Sequence, residues 1–126
     1  MAHVLIIDDN KPNIEVLGLL LKSEEVTYSE VLCPADVESA VNMGGHFDVV
    51  FLDLEFPTNN GFTLIEELRR LDALNGVPIV AYSVHTSEFE AARSAGFDGF
   101  LGKPLDADGF PDQLRRILSG EQVWTI

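Results

Sequence analysis

Cysteine, basic residues and long apolar runs are all scarce in this chain of 126 residues, and each shortage removes a class of protein. Cys33 is the only cysteine, so neither an internal disulfide nor a cysteine-rich zinc site can form. Such usage suits a reducing compartment. Lysine and arginine number 8 against 21 aspartates and glutamates, a formal net charge of -13. That surplus repels phosphate backbones and anionic lipid, which argues against direct contact with nucleic acid or a membrane surface. Most of the acidity serves solubility; a carboxylate cluster that needs a cation would account for a small part. The first apolar run, Val4 to Ile7, is broken at once by Asp8 and Asp9. It lacks the basic start and the length of a signal peptide. Nothing approaches the roughly 20 apolar residues of a membrane span. The expectation is a soluble, cytoplasmic protein.

What remains is enough for one core. Hydrophobic residues make up 46% of the chain, and its length fits a single domain. Short apolar runs lie at Val4 to Ile7, Val26 to Leu32, Val49 to Leu52, Val77 to Tyr82 and Gly99 to Leu101. The first, third and fourth are apolar on consecutive positions, as in a parallel sheet covered on both faces. Thr27, Ser29 and Glu30 dilute the second, which reads as an edge strand.

Amphipathic stretches separate these runs. Ile14, Leu17, Leu20 and Leu21 share one helical face, with Pro12 suited to the first turn. Val37, Ala40 and Val41 predict a second helix, stopped by Gly44 and Gly45. Phe62, Ile65, Leu68 and Leu71 predict a third, capped by Asn59 or Asn60. Ser87 and Glu90 have capping-box spacing before a fourth, which stops at Gly96. Leu114, Ile117 and Leu118 mark a fifth, ended near Gly120. Five βα units in strict alternation build a doubly wound, five-stranded parallel sheet. The expected division is a domain over residues 1–120 and a tail over 121–126.

In an open sheet of this kind, ligands collect at the carboxyl ends of the strands. That edge carries Asp8 and Asp9 after the first strand, Asp53 closing the third, Ser83 closing the fourth and Lys103 past the fifth. Three converging carboxylates are costly to ionise together unless a cation compensates. A hard divalent ion that prefers oxygen, above all Mg²⁺ with Mn²⁺ as its substitute, meets that need. Lys103 can balance a further negative charge, and Ser83 can donate to an oxyanion. Each residue alone has a duller reading: a turn, a cap, a strand-end hydroxyl or a solvated lysine. Their shared edge in successive units carries the argument.

The segments Ile6-Ile7-Asp8-Asp9-Asn10, Asp48 to Asp53, Pro57 to Gly61, Val80-Ala81-Tyr82-Ser83 and Phe100-Leu101-Gly102-Lys103-Pro104 together resemble response-regulator receiver domains. The match runs nearly the whole chain, in order and at the family's spacings. The resemblance implies a flavodoxin-like strand order of 2-1-3-4-5. It implies that Asp53 takes a phosphoryl group from a phosphohistidine on a sensor histidine kinase or phosphotransfer protein. It assigns Asp9, Asp53 and the backbone carbonyl of Glu55 as direct Mg²⁺ ligands, with Asp8 acting through water. Lys103 would pair with a phosphoryl oxygen, and Ser83 and Phe100 would be the switch residues. The surface of helix four, strand five and helix five would then change its affinity for a downstream protein target. A cis Lys103-Pro104 bond is also implied. Phe100 reads equally as an ordinary core aromatic.

Departures from the family pattern concern tuning. Val84 stands where the family has a small residue, and a β-branched side chain there is expected to narrow access to Asp53. Phe56 replaces a common Met. Glu55 and His85 fall at positions that tune the lifetime of the phosphorylated state: a carboxylate disfavours a nearby phosphoryl group, and a protonated histidine favours it. Either can simply face solvent. His3 and His46 read as surface residues without partners of note. Trp124, beyond the fifth helix, covers a core edge or, if exposed, opens self-association as a homodimer.

Three rival readings follow from the same residues. A phosphatase of the haloacid dehalogenase type also uses an aspartate and Mg²⁺, but needs Asp-x-Asp on its first strand and a cap domain. A degenerate receiver would be a binding module without phosphorylation. A flavodoxin-like cofactor protein would need a phosphate loop where Asp8 and Asp9 stand. No output domain is expected in the residues after the fifth helix, which leaves either a single-domain regulator or a piece of a longer protein.

Overall fold

Val49-Val50-Phe51-Leu52 offers no polar position on either face, so the strand it forms has to be covered on both sides. The computed structural model describes residues 2–54 and 61–125 and shows that arrangement. The elements run β1 (His3–Ile7), α1 (Lys11–Ser23), β2 (Thr27–Val31), α2 (Val37–Met43), β3 (Val49–Asp53) and α3 (Gly61–Arg69). They continue with β4 (Ile79–Ser83), α4 (Phe89–Ala95), β5 (Gly99–Gly102), α5 (Phe110–Leu118) and β6 (Val123–Thr125). The sheet order is β2-β1-β3-β4-β5-β6, and every pairing is parallel. The five expected strands thus lie in the order 2-1-3-4-5, with the mixed-polarity β2 on an edge.

Two cores flank the sheet, divided by the period-two alternation of its strands. Leu5, Ile7, Val50, Leu52, Ile79, Ala81 and Phe100 pack toward α2, α3 and α4. Val4, Ile6, Val49, Phe51, Val80, Tyr82 and Leu101 pack toward α1 and α5. Fully burying one such aliphatic or aromatic side chain is worth about 1.5–3 kcal/mol. Helix ends match the expectation in part: α4 stops at Gly96 as expected, whereas α3 ends at Arg69, short of Leu71. Asn10 caps α1 by accepting from the Asn13 N–H at 3.0 Å, and Gly96 closes α4 in the left-handed region at φ 95°.

Some readings change. The capping box of Ser87 and Glu90 does not form: a short 3₁₀ turn at Thr86–Glu88 precedes α4, and Glu88 at the cap position makes no side-chain bond to the helix's own N–H groups. Leu118, expected on the buried face of α5, is 38% exposed. His3 is well partnered: its ring nitrogens lie 2.7 Å from Thr27 Oγ1 and 2.8 Å from Ser29 Oγ, and it stacks on Phe47. Its backbone N–H and the His46 ring both bond to Asp48, and those bonds hold that carboxyl below its usual range. Asn59 and Asn60, the expected caps of the third helix, lie outside the described residues.

The largest addition is β6. Residues 123–125 fall in the expected tail, yet they pair with Gly99, Phe100 and Leu101 of β5. The signal was weak because a three-residue strand has no periodicity to read. Trp124 is half-buried there, with the Arg93 guanidinium 4.9 Å over its ring and Phe89 at 5.5 Å. Glycine at position 99 is what allows the approach. A Cβ there would sit 2.7 Å from the Val123 carbonyl oxygen, so something must shift. Gly99→Ala is therefore expected to loosen β6 and to cost about 1–3 kcal/mol of stability. Trp124 is the only tryptophan, so its emission should move to the red in that variant. An unchanged spectrum and melting curve would show that β6 tolerates the methyl group.

Candidate functional site

Three strand ends and one loop build the site. Asp8 follows β1, Asp53 closes β3, Ser83 closes β4 and Lys103 follows β5. The strands are in parallel register, so their carboxyl ends share one edge. Among the described residues, Asp8, Asp9 and Asp53 can each aim one oxygen so that the three lie within 4.8 Å of one another. Asp9 is exposed, while Asp8 and Asp53 are buried. Lys103, whose side chain is only 12% exposed, sets Nζ 3.3 Å from Asp53 Oδ1 and 3.5 Å from Asp8 Oδ2. The four residues named from the sequence for acceptor, cation and counter-charge are thus one pocket.

The electrostatics follow from that crowding. Burial pushes the Asp53 carboxyl up from 3.8 to about 7; Lys103 works against the rise and Asp8 adds to it. A neutral carboxyl is a poor nucleophile and a poor ligand, so the pocket needs more positive charge than one amine provides. Three carboxylates against one ammonium, with oxygen donors only, suit a hard divalent cation such as Mg²⁺ or Mn²⁺. Asp9 and Asp53 have the open positions to hold it. Asp8 has both oxygens engaged, one by the Asn10 N–H at 2.9 Å and the other by the Tyr82 hydroxyl at 2.6 Å. That suits a supporting charge better than a direct ligand. Glu55, expected to offer its carbonyl, lies outside the described residues, as does Phe56.

Around the pocket, the remaining named residues take distinct places. Ser83 is buried; its Oγ donates to Glu88 Oε1 at 3.1 Å and accepts from the His85 N–H at 3.0 Å. Val84 projects outward, 58% exposed, and His85 is exposed beside it. Phe100 is fully buried and meets Phe89 edge-on at 5.4 Å. The Lys103-Pro104 peptide is cis.

Sequence reasoning passed over Tyr82. It is 1% exposed, donates to Asp8, and lies with its ring 4.3 Å beneath Lys103 Nζ. Burial first, then the charge of Asp8, pushes the phenol's ionisation far above its usual range, so it stays a donor. The signal was available. A tyrosine in a strand buried on both faces has to bring its hydroxyl to a partner. Alternation puts Tyr82 on the face of Val80 and puts Asp8 in line with Ile6, within the α1/α5 layer.

With this geometry in hand, the likeness to known proteins is direct. The family described as the response regulator receiver domain matches residues 4–115. Hybrid signal transduction histidine kinase L of Dictyostelium discoideum is 30% identical over 112 residues, covering 83% of this chain and 7% of its own. The signal transduction histidine-protein kinase BarA of Escherichia coli K12 is 27% identical over 125 residues, covering 95% of this chain and 13% of its own. The chain therefore spans less than a sixth of these relatives. Among solved structures, the receiver domain of sensor histidine kinase PA1611 from Pseudomonas aeruginosa superposes with a TM-score of 0.81 at 21% identity. That match covers 94% of this chain and 98% of that one, and the structure has a magnesium ion coordinated in its active site cleft.

Proposed function

The chain belongs to the response regulator receiver domain family, and from that premise we propose that it accepts a phosphoryl group on Asp53 in an Mg²⁺-dependent transfer. The donor is a phosphohistidine on a sensor histidine kinase or a histidine phosphotransfer protein. The observation that carries the reading is the placement of Lys103 Nζ 3.3 Å from Asp53 inside the Asp8, Asp9 and Asp53 cluster. Phosphoryl transfer needs in-line positioning and charge neutralisation more than elaborate acid-base chemistry. Asp53 supplies the attacking oxygen: its O–P bond forms while the histidine N–P bond breaks, and the nitrogen keeps that electron pair. Lys103 meets the charge on a phosphoryl oxygen. The bound cation would neutralise Asp9 and Asp53 so that the anionic group can approach. Asp53 becomes an aspartyl phosphate and is restored when water takes the phosphoryl group and inorganic phosphate leaves; the chain acts as an acceptor and does not turn over a separate substrate. An acyl phosphate on aspartate is labile, which suits a reversible signal.

The output is a local charge event read at a distance. Ser83 and Phe100 are the elements that would carry it toward the face of α4, β5 and α5, where a downstream protein would dock. Glu55, Val84 and His85 would set the lifetime. Val84, the residue after Ser83, is exposed, so Val84→Ala is expected to speed either phosphoryl uptake or loss to water, checked by following both rates. Rates equal to the parent's in both steps would remove Val84 from the mechanism. The central test is intact mass after incubation with MgCl₂ and acetyl phosphate. One phosphoryl group should be gained, and none when the cation is chelated. Steady release of phosphate from simple esters without labelling of the chain would instead mark a phosphatase.

A further inference from the structure

Tyr82 sits where the two charges that matter most to the pocket meet the core. Its hydroxyl donates to Asp8 Oδ2 at 2.6 Å, its ring centroid is 4.3 Å from Lys103 Nζ, and Lys103 itself is 3.5 Å from that same Asp8 oxygen. The three groups close a triangle. Behind it the ring meets Phe51 edge-on at 6.4 Å and is locked into the α1/α5 layer. A phenol held by packing on one side is a fixed object against which flexible groups can be set.

Building on the receiver reading above, we propose that Tyr82 is a positioning residue for the cation site: its hydroxyl holds the Asp8 carboxylate in one orientation and its ring face seats the Lys103 ammonium. The chemistry requires something in that place. Asp8 is 0% exposed, and burying a carboxylate is costly unless its oxygens are bonded. The Asn10 N–H serves Oδ1 at 2.9 Å, and the Tyr82 hydroxyl is the short, charge-assisted bond to Oδ2. With both oxygens committed, Asp8 is held in one rotamer and acts on the ion as a nearby charge. Lys103 would otherwise be free to settle fully on Asp8. The electron-rich ring face attracts the ammonium and keeps it within reach of Asp53 as well.

The two functions separate by substitution. Tyr82→Phe keeps the ring and removes the hydroxyl, so Lys103 stays seated while Asp8 loses one bond. Partners that orient a metal-site carboxylate typically contribute about 10–100-fold in metal affinity. Tyr82→Phe should therefore weaken Mg²⁺ binding about tenfold in calorimetric titration of the full chain with MgCl₂. Tyr82→Leu removes ring and hydroxyl together; it should weaken Mg²⁺ binding at least as far and slow phosphoryl uptake from acetyl phosphate beyond the loss seen in Tyr82→Phe at saturating Mg²⁺. A residue that only fills the core would lower thermal stability in the cation-free chain and leave the Mg²⁺ dissociation constant of the folded protein alone. An Mg²⁺ affinity for Tyr82→Phe within twofold of the parent overturns the proposal. If the parent itself binds no Mg²⁺, the receiver reading falls together with it; if the parent binds and the variant binds equally, only the role of Tyr82 is lost.

Discussion

Asp53→Asn is expected to take up no phosphoryl group under conditions that label the parent fully, and in metal-free buffer it is expected to be the more stable of the two at pH 8. The first outcome follows because an amide offers no anionic oxygen to attack phosphorus. The second follows from the pocket's charge. The Asp53 carboxyl is raised from 3.8 to about 7, so between those values the folded chain holds a proton that the unfolded chain has released. Stability from that group is fully present below about pH 4 and is lost as pH rises through about 7. The parent should therefore weaken over that window, while the variant, neutral throughout, should show a flatter profile. Each tenfold difference in proton affinity between the folded and unfolded chain corresponds to about 1.4 kcal/mol. The value of about 7 already contains the relief that Lys103 gives, and solvent beside the exposed Asp9 screens part of what is left, so a gain of about 2 kcal/mol at pH 8 is expected. Added Mg²⁺ should reverse the order, since the parent then gains binding energy, about 2.7 kcal/mol at a hundred times its dissociation constant. Denaturant melts at several pH values, with and without MgCl₂, check each step. A parent whose stability is flat from pH 4 to 8 would mean that Asp53 is ionised without help, and the case for a required cation would weaken.

The same residues show what a sequence can and cannot reveal about such a site. Asp8, Asp53, Ser83 and Lys103 were legible because strand ends are marked by a change from apolar runs to polar residues, and parallel strands bring those ends together. The parallel sheet was legible through the same alternation, and its strand order only through the family likeness. Tyr82 was passed over although a trace of it was there: inside an apolar run its ring looks like any other core side chain, and only the need of a buried hydroxyl for a partner sets it apart. The pairing of β6 was hidden for another reason: three residues carry no period, and Gly99 reads as a strand end until a neighbouring carbonyl is found against it. Ser87 misled because capping spacing is a local signal, and the preceding turn settled into a 3₁₀ conformation instead. Chemistry carried by charge was visible in one dimension; chemistry carried by contact between layers was not.

Lys103→Met should slow phosphoryl uptake by about a hundredfold or more while tightening Mg²⁺ binding, two effects of opposite sign from one substitution. The rate falls for two reasons. The ammonium 3.3 Å from Asp53 is gone, so Asp53 keeps its proton to higher pH and fewer molecules carry the attacking anion. The charge that would meet a phosphoryl oxygen is gone as well, and removing one such group from a sheltered site typically costs about 10²–10³ in rate. At a pH high enough for Asp53 to be ionised in the variant too, Mg²⁺ binding tightens because the cation no longer competes with an amine 3.3–3.5 Å from two of the carboxylates. Methionine keeps most of the aliphatic stem, so packing over Tyr82 should survive and the fold with it. The two-way response separates this account from simple damage, which would weaken both properties together. Rates of labelling by acetyl phosphate at saturating Mg²⁺, set beside calorimetric Mg²⁺ affinities, decide the matter. Weaker Mg²⁺ binding in the variant would show that Lys103 holds the carboxylates in place for the ion and does not compete with it.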